Sequence, residues 1–319
     1  MGFCYPFTVS LVLSGGGIPA PPAGTLVVLP RVCYTEHKED TVAIIRFEEN
    51  DDIIDICQDN VFKAVFTKNS RESAEALAGL LSCFIGRRLS VIKIVANEPP
   101  VDNIHDRQIR FDINCEAENG ELINIEMTLY PDDFEPVRLE YYAGKLFTGQ
   151  EIRGKDKTFD DLESAYQIAF LAAKDFFDDK DIVHCFEYFD PKRNVSLGGR
   201  SRIITVELNK LGKTVEKPVE KMTAQERWSV FFRYSTDTTK RQTINKIVEA
   251  EEGIAMACQV LRTVSKDKVE RARLMSEYKF ATDTQSQLVQ AKRKGRAEVI
   301  ELLKSGKSLD DVIQFYENT

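Results

Sequence analysis

The sequence predicts a mixed α/β fold, a sheet flanked by helices and followed by a helical C-terminal tail. Three observations lead there. Helix-like and strand-like periodicities alternate between Asp59 and Leu211. A hairpin pattern occupies "RFDINCEAENGELINIEMTLY", residues 110–130. From about Thr223 onward the apolar spacing is almost purely helical.

The elements follow in order. "FTVSLVLSGGGIPAPPAGTLVVLP" holds two short apolar runs split by Gly and Pro. Neither approaches the roughly 20 apolar residues that span a bilayer. No positive charge precedes the first run, as a secretory signal would require. No Lys-Ser/Thr follows "SGGG", so it is not a phosphate loop. Residues 1–35 are expected to stay outside the folded domain, as disorder or as a mis-started N-terminus. In "DNVFKAVFTKNSRESAEALAGLLSCFIG", residues 59–86, Phe62, Val65 and Phe66 recur at helical spacing. Asn69 or Ser70 can cap a second helix with an apolar side of Leu77, Leu80, Leu81, Phe84 and Ile85, and Gly86 stops it. "SVIKIVANEPP" reads as a strand ended by Pro99-Pro100. After the hairpin, "EPVRLEYYAGKLFTG" reads as a helix and "ESAYQIAFLAA" as a buried strand, with helix as the alternative. "DIVHCFEYF" and "RSRIITVELNKL" read as two strands joined by the loop "DPKRNVSLGG". In the tail, Gly306 is expected to separate two short helices, with Ser308 capping the last. "WSVFF", around the single Trp228, is an apolar helix face that packs the tail onto the core. The expected divisions are therefore 1–35, a domain at 36–215 and a helical region at 216–319.

Register decides which hairpin side chains share a face. A two-residue Asn119-Gly120 turn would pair Asp112 with Met127 and mix apolar with polar on both faces. A three-residue loop, Glu118-Asn119-Gly120, shifts the register by one and puts Gly120 in the left-handed position. Ile109, Phe111, Ile113 and Cys115 then face Leu129, Met127, Ile125 and Ile123. The other face carries Arg110 opposite Thr128, Asp112 opposite Glu126 and Asn114 opposite Asn124. Each large side chain on the wrong face would cost roughly 1.5–3 kcal/mol, so burial selects the second register.

Two carboxylates directly opposite on a sheet repel. One explanation is a solvated face with Arg110 as counter-ion. The other is a divalent cation, because Mg²⁺ takes one or two carboxylates plus waters and phosphate oxygens. Held there, it polarises a phosphodiester and activates water.

At these residues the sequence resembles the PD-(D/E)xK nuclease superfamily, and more narrowly the recombination-promoting nuclease and transposase (Rpn) family. The resemblance is carried in order by "DNVFKAVFT", "GLLSCFIG", the hairpin, "EYYAGKLFTGQEIRGKDKTFDDL", "ITVELNKL" and the tail "AKRKGRAEVIELLKSGKSLDDV". It implies a restriction-endonuclease-like mixed sheet core flanked by helices, with a helical C-terminal tail. It implies Asp112 and Glu126 as metal-binding carboxylates, with Mg²⁺ or Mn²⁺ as the ion, and Glu75 as an acidic residue that assists the metal. Gln150 and Tyr142 match the helix Gln and Tyr that position the site or substrate. Thr128 stands third, where the superfamily has Lys and this family commonly Gln. A threonine cannot stabilise negative charge as a lysine does, and Arg110 on the opposite strand is the expected substitute. Ser82 stands where the family usually has Asn.

Composition sets the remaining limits. Net charge is −8 over 319 residues, so DNA contact requires a local basic patch. Three clusters offer one: Arg87-Arg88; Lys192-Arg193 with Arg200 and Arg202; and Lys292-Arg293-Lys294 with Arg296. Lys292 and Arg296 share a helix face at i, i+4. Each cluster also reads as an ordinary solvated face. The seven cysteines are scattered without a C-x-x-C pair and the three histidines lack ligand spacing, so reduced buried thiols in a cytoplasmic protein are expected and a zinc site is not. The expectation is a metal-dependent DNA endonuclease linked to recombination or transposition. The alternative is a degenerate member that binds DNA or a protein partner without cutting. DNA is the expected partner, a membrane is not, and a homo-oligomer is compatible with the sequence.

Overall fold

Two helices precede the sheet, as the apolar spacing requires. α1 (Asp59–Phe66) buries Val61, Phe62, Val65 and Phe66. α2 (Arg71–Ile85) begins at Ser70, whose hydroxyl accepts from the Ser73 amide at 3.2 Å, and stops at Gly86 with φ +82°. These positions belong to a computed structural model that describes residues 46–89, 92–95, 110–150, 152, 157–308 and 314. The expectations for residues 1–35, Pro99-Pro100 and Ile109 lie outside the described residues.

The sheet has six strands in the order β1-β2-β3-β4-β8-β5. They are β1 (Ile92–Ile94), β2 (Ile113–Ala117), β3 (Leu122–Thr128), β4 (Ala165–Leu171), β5 (Val183–Phe186) and β8 (Ser201–Glu207). β1, β2 and β3 are antiparallel neighbours, β3, β4 and β8 run parallel, and β5 closes the edge antiparallel to β8. The β3-to-β4 crossover carries α3 (Glu135–Thr148), which lies on one face of the sheet and buries Leu139, Ala143 and Leu146. Between β5 and β8 the chain makes a short ribbon, β6 (Phe189–Asp190) with β7 (Val195–Ser196).

The hairpin takes the three-residue-loop register. Ile113 pairs with Ile125, Asn114 with Asn124 and Cys115 with Ile123. Gly120 has φ +84°, and its amide donates to the Ala117 carbonyl. Ile113, Cys115, Ile123, Ile125 and Met127 face the main core together. Two features differ from the sequence reading. The regular ladder starts at Ile113, and the chain bends at Asp112, so Phe111 turns to the opposite face and packs on Leu146, Ala165 and Tyr142. The polar face is also buried, because α3 covers it: Asn114, Asn124 and Glu126 are all buried.

β4 is buried along its whole length, which explains why "AYQIAFL" lacks alternation. On the face away from α3, the sheet packs against the helices of the C-terminal half. α4 (Ala224–Tyr234) is capped by Thr223, and α5 (Arg241–Ala250) and α6 (Glu252–Lys266) follow. Trp228, Phe231 and Phe232 share one core with Phe62, Phe66 and Phe170. At its centre, the Phe170 and Phe232 rings lie 4.9 Å apart. α7 (Lys268–Lys304) is one helix of 37 residues, longer than the short helix expected before Gly306. Gly295 does not break it, since an isolated glycine costs only about 1 kcal/mol in a helix. Gly306 follows its end at φ +89°. The helix expected after Ser308 lies almost wholly outside the described residues. Among the described residues, no helix is long and apolar enough to cross a membrane.

Candidate active site

The bend at Asp112 builds the site. Bending turns the Asp112 amide toward β3, where it donates to Glu126 Oε1 at 3.1 Å. The Met127 amide in turn donates to Asp112 Oδ2 at 3.1 Å. Each carboxylate therefore accepts a backbone N–H from the other's strand, and the two acidic groups are locked side by side. Asn124 on the same β3 face donates to Glu126 Oε1 at 2.9 Å and to Gln167 Oε1 of β4 at 2.8 Å. Gln167 thus backs the acidic pair from the neighbouring strand, and sequence reasoning did not single it out.

Burial sets the electrostatics. Glu126 is 3% exposed. Desolvation, and then the Asp112 charge, push its carboxyl up to about 8. Asp112 is raised to about 6, by burial first and then by Asp59. Two cations oppose these shifts. Lys63 of α1 places Nζ 2.9 Å from Asp112 Oδ1 and 2.8 Å from Asp59 Oδ1. Arg138 of α3 lies near Glu126 and lowers its proton affinity. Arg138 Nη2 donates to Thr128 Oγ1 at 2.9 Å and to Glu135 Oε1 at 2.5 Å, and Thr128 Oγ1 donates to that same Glu135 oxygen at 3.2 Å. Lys63 belongs to the quoted "DNVFKAVFT" segment and sits four residues after Asp59, which was the available signal for it. Arg138 left no pattern, because its role arises from the crossover that brings α3 over β3.

Of the other residues read from the sequence, Tyr142 lies beside Arg138, and several of the rest are held by contacts of their own. Arg110 is exposed ahead of the bend and outside the ladder, so it does not stand opposite Thr128 in a regular strand pair; the guanidinium at Thr128 is that of Arg138. Glu75 pairs with Arg71 at 2.6 Å on α2. Gln150 spends its side chain on Glu163, donating to its carbonyl at 3.0 Å and accepting from its amide at 2.8 Å. It ties the end of α3 to the start of β4. Tyr142 lies with its ring 5.6 Å from Arg138 Cζ. Ser82 accepts from the Leu89 amide at 2.8 Å and fastens the exit from α2.

The basic clusters are partly spent as well. Arg193, on the β6–β7 turn, pairs with Asp190 at 2.8 Å, and Lys192 is exposed. Arg200 donates to the Asp160 carbonyl at 2.9 Å and also to that of Leu162. Arg202 lies 5.8 Å from the Tyr166 ring centre. Arg87 pairs with Glu121, and Arg88 is exposed. Arg293, Lys294 and Arg296 are exposed on α7, while the Lys292 side chain is outside the described residues.

The pair fits a small hard cation in its donor chemistry. Two adjacent carboxylates, one buried and one partly buried, each with raised proton affinity, gain most when a positive ion neutralises them. Among the described residues, no group of three or more His, Cys, Asp or Glu gathers to hold a metal, and Glu75 is paired with Arg71 on α2. Two clefts flank the site. One of about 410 Å³ is lined by Lys63, Lys68 and Arg273 together with Asp267, Glu270 and Glu277. One of about 290 Å³ lies between α3 and β8, with Glu135, Glu140 and Glu187 in its lining and neither Lys nor Arg there, a wall that repels phosphate.

No curated protein and no solved structure matches the chain. The family model described as "PD-(D/E)XK nuclease family transposase" matches residues 56–291, well over half of the chain, and the mixed six-stranded sheet flanked by helices is consistent with that nuclease fold. The protein therefore belongs to the PD-(D/E)XK nuclease family transposases.

Proposed function

We propose that this protein is a metal-dependent endodeoxyribonuclease that hydrolyses DNA phosphodiester bonds in the cytoplasm, in the service of recombination or transposition. The observation that carries the reading is the reciprocal lock of Asp112 and Glu126. Repelling carboxylates are held together by two backbone amides, at 3.1 Å each, with Glu126 buried and Asp112 partly buried. A purely structural hairpin has no use for that cost. Asp112 and Glu126 would hold Mg²⁺ or Mn²⁺, which supplies Lewis-acid polarisation of the phosphate and activation of water. Asn124 and Gln167 orient Glu126. The bend at Asp112 aims its carboxylate at Lys63, which also lines the larger cleft. The exposed bases Lys192, Arg293 and Arg296 add phosphate contacts away from the centre.

The second reading, a member that binds DNA or a protein without cutting, is favoured by Thr128 in the third position and by Lys63 already neutralising Asp112. One assay separates them: supercoiled plasmid with Mg²⁺ or Mn²⁺, wild type beside Asp112→Ala. Metal-dependent nicking lost in the variant supports the nuclease. Equal absence of nicking in both, with DNA retained on a gel, supports the binding protein.

A further inference from the structure

We propose that Arg138 is a catalytic residue: delivered from α3 onto the Thr128 hydroxyl, its guanidinium supplies the positive charge that β3 lacks there and receives a non-bridging oxygen of the scissile DNA phosphate. This rests on the nuclease reading above and names the group that completes it.

Three contacts fix the guanidinium. Nη2 donates to Thr128 Oγ1 at 2.9 Å and to Glu135 Oε1 at 2.5 Å. The Tyr142 ring stands 5.6 Å from Cζ. Glu135 is itself buried at the start of α3, so the anchor is rigid. All the side-chain hydrogen bonds use a single nitrogen. Nε is buried and has no partner among the described residues, and Nη1 forms no hydrogen bond there either. The side chain is nonetheless 38% exposed. Nη1 therefore carries the uncommitted N–H donors that solvent can reach, close to the Asp112–Glu126 pair, and a guanidinium anchored in this way can donate from Nη1 to one phosphate oxygen.

Neither alternative cation serves as well. Lys63 is shared between Asp59 and Asp112, two negative charges on one positive. Arg110 lies ahead of the bend, outside the ladder that positions Thr128.

The role follows from the chemistry. As the water oxygen bonds to phosphorus, the bond from phosphorus to the leaving deoxyribose oxygen breaks. Negative charge builds on the non-bridging oxygens. Arginine stays protonated throughout, so it stabilises that charge and takes no proton. The proton released by the attacking water goes to solvent, and the leaving oxygen takes one from solvent.

The test has a metal-free arm and a metal arm. In EDTA, the affinity of the full chain for a short DNA duplex is measured by fluorescence anisotropy across a salt series. Arg138→Gln is expected to weaken binding about tenfold and to reduce the log–log salt slope by about one, while Arg138→Lys stays within about threefold of wild type. With Mg²⁺, Arg138→Gln is expected to slow plasmid nicking about 100-fold. Adding Thr128→Lys to Arg138→Gln is expected to restore at least about tenfold of that loss, since the charge returns to the same place. A merely structural link between Glu135 and Thr128 predicts no such rescue by a relocated charge. If wild type nicks DNA and Arg138→Gln nicks and binds like wild type, the Arg138 proposal is overturned while the nuclease reading stands. If wild type nicks nothing with Mg²⁺ or Mn²⁺, the nuclease reading falls and the EDTA arm decides the phosphate contact. Unchanged affinity and slope in Arg138→Gln, or no DNA binding by wild type, then overturn it.

Discussion

Lys63 Nζ stands 2.9 Å from Asp112 Oδ1, so one of the two acidic groups already carries an internal counter-ion from a different element of the fold. A metal binding to Asp112 must share that carboxylate with Lys63 or displace it. Replacing Lys63 with Met is expected to destabilise the metal-free protein by about 1–2 kcal/mol. That is less than a fully buried pair loses, because Lys63 is 27% exposed. The same variant is expected to bind Mg²⁺ more tightly, since no cation has to yield. Thermal melts across a Mg²⁺ titration check both. Weaker Mg²⁺ binding in Lys63→Met would mean that the lysine supports the metal rather than competing with it.

The acidic pair makes stability depend on pH in a fixed direction. Burial, then Asp112, lifts Glu126 from its ordinary 4.5 to about 8. Asp112 is lifted from 3.8 to about 6 by burial and Asp59, against the pull of Lys63. Both folded-state values lie above the unfolded ones, so between them the native state binds more protons than the unfolded chain. The Glu126 contribution is complete below about pH 4.5 and disappears as the pH rises through about 8. The metal-free melting temperature is therefore expected to fall between about pH 5 and pH 9. Glu126→Gln, which stays neutral, should flatten that fall. Parallel wild-type and Gln curves in EDTA would show that Glu126 titrates normally.

Mg²⁺ or Mn²⁺ should reverse that loss. A ligand that binds only the folded state at a hundred times its dissociation constant adds about 2.7 kcal/mol. The melting temperature should rise with metal, more at alkaline than at acidic pH, and Asp112→Asn should abolish the rise. The variant removes the repulsion between the two carboxylates but also the ion pair with Lys63, so the two effects oppose and its metal-free form is expected to melt close to wild type. An equal metal response in wild type and Asp112→Asn would place any bound ion elsewhere.

The hairpin was legible because period-two alternation and a glycine at positive φ leave one register that buries Ile113, Cys115, Ile123, Ile125 and Met127 together. The acidic pair was legible from the same segment, and the family from the ordered set of motifs that runs from Asp59 into the tail. What escaped lies in relations between elements. Phe111 keeps the alternation in sequence but leaves it in space, because the chain bends at Asp112 to exchange hydrogen bonds with β3. The polar face looked solvated because nothing in residues 110–130 states that α3 will cover it. Arg138 and Lys63 reach the pair from two helices, and periodicity describes each helix alone. Gln150 matches its family motif but spends both ends of its amide on Glu163, a use that only the return of β4 beside α3 reveals.

The contact between α2 and α6 offers a control that separates fold from site. A Cβ on Gly79 would lie 2.9 Å from the Cα of Gly253, and one on Gly253 would lie 3.1 Å from the Cα of Gly79 and from Trp228 Cζ2. Backbone cannot rotate away as a flexible side chain does, so the helices must separate. Gly79→Ala gains up to about 1 kcal/mol of helix propensity. Overpacking costs typically 1–3 kcal/mol, so a net loss of about 1–2 kcal/mol is expected. The core that absorbs this shift lies on the face of the sheet away from α3, whereas Glu126 points toward α3. The Mg²⁺-dependent rise in melting temperature should therefore persist in Gly79→Ala, on top of a lower starting point. Paired melts with and without Mg²⁺ test this. An unchanged melting temperature would mean that the two helices do not pack this closely. A lost metal response would mean that their spacing also sets the geometry of Asp112 and Glu126, through Lys63 on α1, which packs against both helices.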